Sequence, residues 1–295
     1  MRIGRIYVIV LLMWGLASSC IREDYSDCYN RYVVNMSYMG DGQEDIFADK
    51  IGRVHMYIFN QDEVCVHQGL LSRDEVSQQR TVLPPLGEGL YRIVFLGNTY
   101  STGVRDFRTR TALDGICFGA EAYWRTETVS GNDSLYFAAV NQEILPFAPD
   151  RQVAYNTACF ESSHYDVSVE VLGVPSAPVI VLTGVSPYAD FNNVATVDQE
   201  TVYVLDVEHD GVSKAKARCN ILRHLDHENV YMKVLDADGN EMASVNLADF
   251  LRENSGQIDC TKNEVHIPFQ VEFLSAKVEI SLPDWWVMHV TPDFG

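Results

Sequence analysis

The stretch that decides the fold class is Val230-Tyr-Met-Lys-Val-Leu-Asp-Ala-Asp-Gly-Asn-Glu-Met-Ala-Ser-Val245. Two alternating apolar runs flank the turn Asp236-Ala-Asp-Gly239, and an Asp-Gly pair in that setting is a strong short-range signal for a β-hairpin. Asn246 follows as the N-cap of a predicted short helix that ends at Glu253. The stretch therefore predicts antiparallel sheet interrupted by a brief helix.

Similar short runs extend along the whole chain, separated by Gly, Pro, Asn and Asp. The predicted strands are Arg31–Met39, Val54–Phe59, Val64–His67, Thr81–Leu83, Leu90–Gly97, Leu135–Val140, Tyr165–Val171, Val179–Leu182, Val202–Leu205, Val230–Leu235, Glu241–Val245, Val265–Phe269, Ala276–Leu282 and Trp285–Val290. Many short strands with regularly spaced turn signals are typical of β-sandwiches. We therefore predict an all-β protein with two antiparallel sandwiches in series. Residues Asn98–Asn132 are predicted to hold little regular structure.

The predicted domain boundary lies just after the polar stretch Glu161–His164, where a new alternating pattern begins. This divides the chain into an N-terminal sandwich over residues 31–163 and a C-terminal sandwich over residues 164–295. Domain boundaries fall in exposed polar stretches. Proteolysis between Phe160 and Asp166 is therefore expected to give two resistant fragments.

Residues 1–19 have the build of a secretory signal peptide. Arg2 and Arg5 precede the apolar run Ile6–Leu16, and the small residues Ala17–Ser19 lead directly into Cys20. The run is shorter than the roughly 20 apolar residues that a spanning helix needs. Cys20 is therefore predicted to carry a lipid, with residues 20–30 as the tether. The alternative is an ordinary cleaved signal followed by a coincidental cysteine.

Composition limits the classes of partner. The chain has 295 residues, of which 47% are hydrophobic and 21% charged, as in globular proteins, and its net charge is −19. Arg2 and Arg5 supply two of the positive charges, so the chain from Cys20 onward carries −21. Such a chain repels phosphate backbones and anionic lipid surfaces. We therefore expect no nucleic-acid binding, and membrane contact only through the lipid on Cys20.

Six further cysteines leave two alternatives open: Cys28, Cys65, Cys117, Cys159, Cys219 and Cys260. In an exported protein they could all pair, and the sequence does not choose among the connectivities. They could equally be buried thiols that fill small apolar spaces. The absence of any Cys-x-x-Cys pair argues against a zinc ribbon and a redox site.

The sequence favours neither a catalytic nor a metal-binding pattern. His224 and His227 could chelate zinc, but no third ligand stands at metal spacing, and a solvated loop is favoured. Asp236–Asn240 is similar to the start of a calcium loop, yet Glu241 stands where an EF-hand needs glycine. Neither a nucleophile elbow nor a phosphate loop occurs. We predict no catalytic residue, no metal site and no cofactor, and we do not expect an enzyme.

The C-terminal run Trp285–Val290 is the candidate partner-binding element, with Trp285, Trp286, Val287 and Val290 as its contact residues. An apolar strand near the terminus can pair with an open sheet edge. An internal strand of the second sandwich is the alternative. Neighbouring strand residues face opposite sides, so one tryptophan would be exposed and could also stack on a sugar ring.

Four segments together resemble the anchor and assembly subunits of Bacteroides-type fimbriae: Cys20–Cys28, Leu83–Asn98, Leu235–Gly239 and Val278–Trp285. The resemblance extends over essentially the whole chain. It implies two transthyretin-like β-sandwich domains and lipid attachment at the outer membrane, at the base of a fimbrium. It also implies a role in tethering the fimbrial shaft and limiting its length, with the shaft subunit and other fimbrial proteins as partners.

Two functions from different classes are therefore expected. The first is a structural anchor that holds a fimbrial shaft through strand-pairing contacts. The alternative is a surface lipoprotein that binds glycans. The gene of an anchor should lie beside those of other β-sandwich lipoproteins, whereas the gene of a glycan binder should lie beside importers and glycosidases.

Overall fold

A computed structural model of the chain describes residues 31–106, 113–146, 153–195, 201–223 and 227–287. Within these ranges the chain forms five β-sheets and a few short helices, and the predicted all-β class is confirmed. None of the helices in these ranges is long and apolar enough to cross a membrane. The predicted signal peptide and tether, residues 1–30, lie outside the described residues.

The first half of the described chain contains ten strands, three short α-helices and a 3-10 turn. They are β1 Tyr32–Ser37, α1 Phe47–Lys50, β2 Val54–Phe59, β3 Cys65–Leu70, α2 Arg73–Ser77, β4 Arg80–Val82, β5 Gly89–Gly97, β6 Thr102–Arg105, the 3-10 turn Leu113–Gly115, β7 Cys117–Ala120, α3 Glu121–Trp124, β8 Tyr136–Ile144, β9 Ala154–Cys159 and β10 Glu161–Ser162.

The second half of the described chain contains ten further strands and two α-helices. They are β11 His164–Leu172, β12 Val179–Val185, β13 Tyr188–Asp190, β14 Thr201–Val204, β15 Val207–His209, β16 Lys214–Leu222, β17 Tyr231–Leu235, β18 Glu241–Asn246, α4 Leu247–Glu253, β19 His266–Phe273, β20 Val278–Ser281 and α5 Asp284–Val287.

Each half packs two sheets around one core. In the first half the sheet β4-β1-β9 faces the sheet β10-β8-β5-β2-β3, and side chains such as Met36, Ile58 and Phe95 share one buried cluster. In the second half the sheet β15-β16-β11-β19-β20 faces β14-β12-β17-β18, with Val169 and Met232 in the shared core. Alternating side chains on facing sheets are what a β-sandwich requires.

The Asp-Gly hairpin forms as the sequence predicts. Strands β17 and β18 pair antiparallel, and the Asp236 carboxylate closes the turn by accepting the Asn240 backbone N–H at 2.8 Å. Gly239 has a φ of +85°, a conformation that favours glycine. Asn246 caps α4 by accepting the Asp249 N–H at 3.1 Å, so the predicted short helix is also confirmed.

The prediction that both sandwiches are purely antiparallel is wrong. β1 pairs parallel with β9, and β11 pairs parallel with β19. In each pair the intervening chain builds most of the facing sheet before it returns beside its starting strand. A crossover of this kind brings the returning strand back in the same direction, whereas a tight turn would reverse it.

A third core joins the two halves. The outward side chains of β2, β5 and β8 pack against Phe118 of β7 and Phe191, which follows β13. The strands β6, β7 and β13 form a small sheet, in which Tyr188 pairs with Gly119. A Cβ at Gly119 would lie 2.2 Å from the Pro187 carbonyl oxygen, so this approach requires glycine. Residues Asn98–Asn132, predicted to hold little regular structure, therefore supply two strands and a helix to the joint.

The predicted domain boundary coincides with a change of sheet, because β10 pairs with β8 and β11 pairs with β16 and β19. The premise that this stretch is exposed is wrong: Ser162, Ser163 and His164 are 3%, 2% and 8% exposed. A protease needs an accessible, locally unfolded segment. Cleavage between Phe160 and Asp166 is therefore not expected in the native state, and the division at residue 163 stays a prediction.

Candidate interaction surface

The predicted C-terminal strand is a short helix in the described residues. β20 ends at Ser281, and α5 begins at Asp284 directly after Pro283, which cannot donate a ladder hydrogen bond. The Trp286 backbone N–H donates to the Pro283 carbonyl oxygen at 2.9 Å. Of the candidate contact residues, Val287 ends the helix and Val290 lies outside the described residues.

The two tryptophans have different environments. Trp286 packs against the core of the second half, whereas the Trp285 side chain is 42% exposed. The Trp285 indole lies nearly parallel to the His266 imidazole, at 25° with ring centroids 6.0 Å apart. It meets Trp286 edge to face, with centroids 6.1 Å apart. Trp285 is therefore a supported, solvent-facing aromatic side chain.

A groove of about 510 Å³ lies beside Trp285 on the outer face of the sheet β15-β16-β11-β19-β20. Its floor contains Ser168 of β11, which alternates with the buried Val167 and Val169 and so points away from the core. The groove is lined by residues from four strands or their flanking loops and from the start of α5. They include Ser168, Glu170, Asp206, Glu208, Lys216, Arg218, His266, Pro283 and Trp285.

Hydrogen bonds hold the groove side chains in place. Arg218 donates two bonds to Asp166, at 2.7 and 2.6 Å, in the bidentate geometry that guanidinium and carboxylate favour. The His266 Nε2 atom lies 2.7 Å from Ser168 Oγ. Burial lowers the pKa of His266, although Asp166 opposes the effect, and the ring is therefore neutral at pH 7.

Sequence reasoning identified Trp285 but missed its neighbours. His266, Arg218 and Ser168 come from three different strands, and only the pairing register places them together. A signal for β16 was present, because Lys214–Leu222 alternates charged and small residues. Its inward side chains include Ala215 and Ala217, which are weak strand indicators.

One sheet edge is unusually open among the described residues. β3 is the six-residue edge of the sheet β10-β8-β5-β2-β3, pairs there only with β2, and contains no charged residue or proline. Val66 and Leu70 share one face and are 46% and 51% exposed. The other edge strands carry a charged side chain or contact a neighbouring segment: Arg80 of β4, Arg105 of β6, Asn156 of β9, Glu161 of β10, Asp190 of β13, Val204 of β14, Glu208 of β15, Glu241 of β18 and Glu279 of β20.

A loop of the second half docks on the first half through Glu264. Its carboxylate accepts from the Tyr38 hydroxyl and from Lys50 Nζ, each at 2.5 Å. The Asp41 carboxylate in turn accepts the Asn263 and Glu264 N–H groups at 2.8 and 2.9 Å. Burial raises the pKa of Glu264, but the bonds from Lys50 and Tyr38 outweigh it, and the pKa lies below its usual value of 4.5.

His164 is buried at the same joint. Its Nδ1 atom lies 2.9 Å from the Leu135 carbonyl oxygen and 3.1 Å from Ser162 Oγ. Burial lowers the pKa of His164 below its usual value of 6.5. The Leu135 carbonyl, Glu264 and Asp166 favour the charged ring and Arg223 disfavours it, but burial outweighs the favourable contacts.

We predict that acid weakens the fold through His164. Because its pKa is lower in the folded chain, the unfolded chain binds the proton first as pH falls below 6.5. The free energy of unfolding is then highest above pH 6.5, and it decreases as pH falls from 6.5 toward the pKa of His164 in the folded chain. His164→Gln should reduce the slope of stability against pH below pH 6.5, measured by urea unfolding. An unchanged slope in the variant would contradict the assignment.

The described cysteines form no disulfide bond: Cys65, Cys117, Cys159, Cys219 and Cys260. Cys219 is buried in the second core, and burial raises its pKa to about 12. Cys28 lies outside the described residues. No cluster of three or more metal-ligating side chains occurs in the part of the chain that the structure describes. His227 is described and lies outside any helix, whereas His224 is not described.

Solved structures share this fold. The chain is similar to a candidate adhesin from Bacteroides ovatus, with a TM-score of 0.70, 15% identity and coverage of 90% of this chain and 96% of that chain. It is similar to the fimbrial anchor protein Mfa2 from Porphyromonas gingivalis, with a TM-score of 0.68, 15% identity and coverage of 86% of this chain and 98% of that chain. It is also similar to a candidate polysaccharide-binding protein from Bacteroides thetaiotaomicron, with a TM-score of 0.64, 11% identity and coverage of 85% of this chain and 95% of that chain. At these identities the likeness shows the fold alone.

The family is defined by sequence. Residues 25–291 match the model of the fimbrillin-A associated anchor proteins Mfa1 and Mfa2, and the chain belongs to that family. The resemblance inferred from the four segments is thereby confirmed. Comparison with curated protein sequences gives no match. Membership supports a fimbrial anchoring role at the cell surface and association with other fimbrial proteins.

Proposed function

We propose that this protein anchors a fimbrial shaft to the outer membrane and takes part in shaft assembly and length control. The observation that carries the proposal is the family match over residues 25–291, which covers both halves of the fold. The lipid predicted on Cys20 holds the membrane end, and strand-pairing contacts hold the shaft subunit. Attachment through a lipid and through strand pairing requires no catalytic residue and no cofactor.

We also propose that the two halves are transthyretin-like sandwich domains over residues 31–163 and 164–295. The change of sheet between Ser162 and His164 and the separate sandwich cores support this division. The shared third core, with Phe118 and Phe191, makes the pair a single mechanical body. A rigid pair suits an anchor, because a load on one domain passes to the other without a hinge.

The tether enters the fold at a mechanically strong point. Residue 31 leads directly into β1, which lies between β4 and β9. Val33 pairs with Val82 on one side and with Tyr155 on the other, and Val34 is fully buried. A pull on the tether therefore loads hydrogen bonds to two neighbouring strands together with the packing of β1. Detaching β1 would break all of these contacts at once.

The shaft contact is proposed at the open edge β3. The side of β3 that faces away from β2, from Val66 to Leu70, can accept a strand from a partner, and the exposed Val66 and Leu70 give that strand apolar contacts. Natural proteins usually protect such edges with charges or proline. The unprotected state of β3 in a surface protein is therefore consistent with an edge that a partner covers.

Charge on this edge should disrupt the contact. Val66→Lys is expected to weaken binding of the purified chain to the shaft subunit at least about tenfold, since a lysine would be desolvated in the added strand. The matched control is Val212→Lys, at an exposed loop position between β15 and β16. Biolayer interferometry gives both affinities. Equal binding by the two variants would contradict the assignment to β3.

The C-terminal run stays a second proposed contact, through Trp285, Trp286, Val287 and Val290. A chain that ends at Val287 keeps the packing of Trp286 on the second core and removes Val290. Loss of shaft binding in this chain, with Val66→Lys unaffected, would assign the contact to the C-terminus. The reverse result would assign it to β3.

A further inference from the structure

The groove beside Trp285 has the build of a ligand site, and it differs from a strand-pairing site. It lies on a sheet face, where β11 is paired with β16 and β19, and residues 215–217 of β16 are paired with β11 and β15. An added strand needs free N–H and C=O groups along an edge. A ligand in this groove must therefore bind through side chains and stacking.

We infer that this groove binds a neutral oligosaccharide. The inference goes beyond the anchoring role and does not depend on it. Its first support is Trp285, whose indole is fixed by His266 on one side and Trp286 at its edge, yet remains 42% exposed. A rigid, exposed indole presents a flat apolar face, which matches the C–H face of a pyranose ring.

Hydrogen-bonding groups lie opposite this aromatic wall. Asp206 and Glu208 are exposed at the far side of the groove, and no ion pair of either is found among the described residues. Carboxylates are acceptors, so they suit the hydroxyl donors of a sugar. Combining an apolar wall with a few placed polar groups is the usual composition of a small-molecule site.

The charge of the groove selects against acidic ligands. Arg218 is committed to Asp166 by two hydrogen bonds, and Lys216 lies 3.6 Å from Glu170. With both cations engaged, Asp206 and Glu208 leave the groove negative. In a chain of net charge −19, an anionic ligand would meet repulsion from the groove and from the whole protein.

The length of the site favours an oligosaccharide over a single sugar. A second groove of about 900 Å³ shares Asp206 and Arg218 with the first and runs between the two halves. Tyr100, Thr102 and Asp133 line it. The two grooves form one path from Trp285 toward Tyr100, with polar side chains along its length. A linear chain of several sugar rings fits this shape.

The test uses the purified chain from residue 20 with four neutral hexasaccharides as probes: cellohexaose, maltohexaose, mannohexaose and xylohexaose. A galacturonic acid hexamer serves as the acidic probe. At least one neutral probe is expected to bind with a millimolar or tighter Kd by calorimetry. Trp285→Ala should weaken that binding about tenfold, the size expected for one lost aromatic contact. The matched control, Tyr155→Ala, removes an exposed aromatic side chain outside the groove and should bind like the wild type.

Three results would overturn the inference. They are failure of every neutral probe to bind, equal binding by Trp285→Ala and the wild type, and preference for the acidic hexamer. Fimbrial attachment distinguishes this site from the anchoring function. Glu208→Gln, a change in the groove that leaves β3 and the C-terminal run intact, should weaken sugar binding and keep fimbriae attached. Shed fimbriae with unchanged sugar binding would assign this face to the shaft contact instead.

Discussion

Replacing Cys20 with alanine is expected to move the whole chain from the membrane fraction to the soluble fraction. The lipid on Cys20 is the only membrane contact that the sequence predicts. Each buried methylene contributes about 0.8 kcal/mol to membrane binding, and stable anchoring needs more than one acyl chain. The chain from Cys20 carries −21 and repels anionic lipid, so nothing in its charge replaces the lost lipid.

Fractionation and uptake of labelled palmitate measure this effect together. Cys28→Ala is the matched control, because it removes the neighbouring cysteine and keeps the predicted lipid acceptor. The control should remain in the membrane fraction and incorporate the label. A Cys20→Ala chain that stays fully in the membrane fraction would refute the lipid anchor.

Phe191→Ala is expected to destabilise the protein by about 3–5 kcal/mol, as for other fully buried aromatic residues. Phe191 has no exposed surface and packs against Tyr57, Phe59 and Phe118, with ring centroids 5.1, 5.8 and 6.1 Å away. It belongs to the second half, whereas all three partners belong to the first. A domain is typically stable by only 5–15 kcal/mol, so this loss is a large fraction of the total.

The same variant tests whether the halves behave as one body. Thermal unfolding should shift to lower temperature, and protease should then cut the first half as readily as the second. Val212→Ala, at a position that is 74% exposed, is the matched control and should change stability by less than about 0.5 kcal/mol. If only the second half becomes sensitive, the third core does not couple the halves.

The sequence predicted strands best where the inward side chains are large. β11 alternates buried tyrosine and valine with polar residues, β12 begins with the apolar run Val179-Ile-Val-Leu182, and both were found. β16 and β9 were missed, because alanine, cysteine and asparagine at their alternating positions carry little strand preference. The parallel pairing of β1 with β9 was also missed. It depends on contacts between segments far apart in sequence, which local patterns do not encode.

The candidate sites also depend on contacts between segments that are far apart in sequence. An exposed tryptophan at the C-terminal end could be predicted from the adjacent pair, but its setting on α5 depends on Pro283. The groove needs the register of β11, β16 and β19 together, which no single segment contains. Likewise β3 was predicted as a strand, but its place at a sheet edge follows only from the strand order.

The measurement that tests the central claim most directly is electron microscopy of fimbriae in a strain that lacks this gene. We expect long fimbriae shed into the medium, and we expect the intact gene to restore short, attached fimbriae. A gene encoding Cys20→Ala should fail to restore attachment. Fimbriae of normal length that remain attached to the deletion strain would contradict the anchoring role.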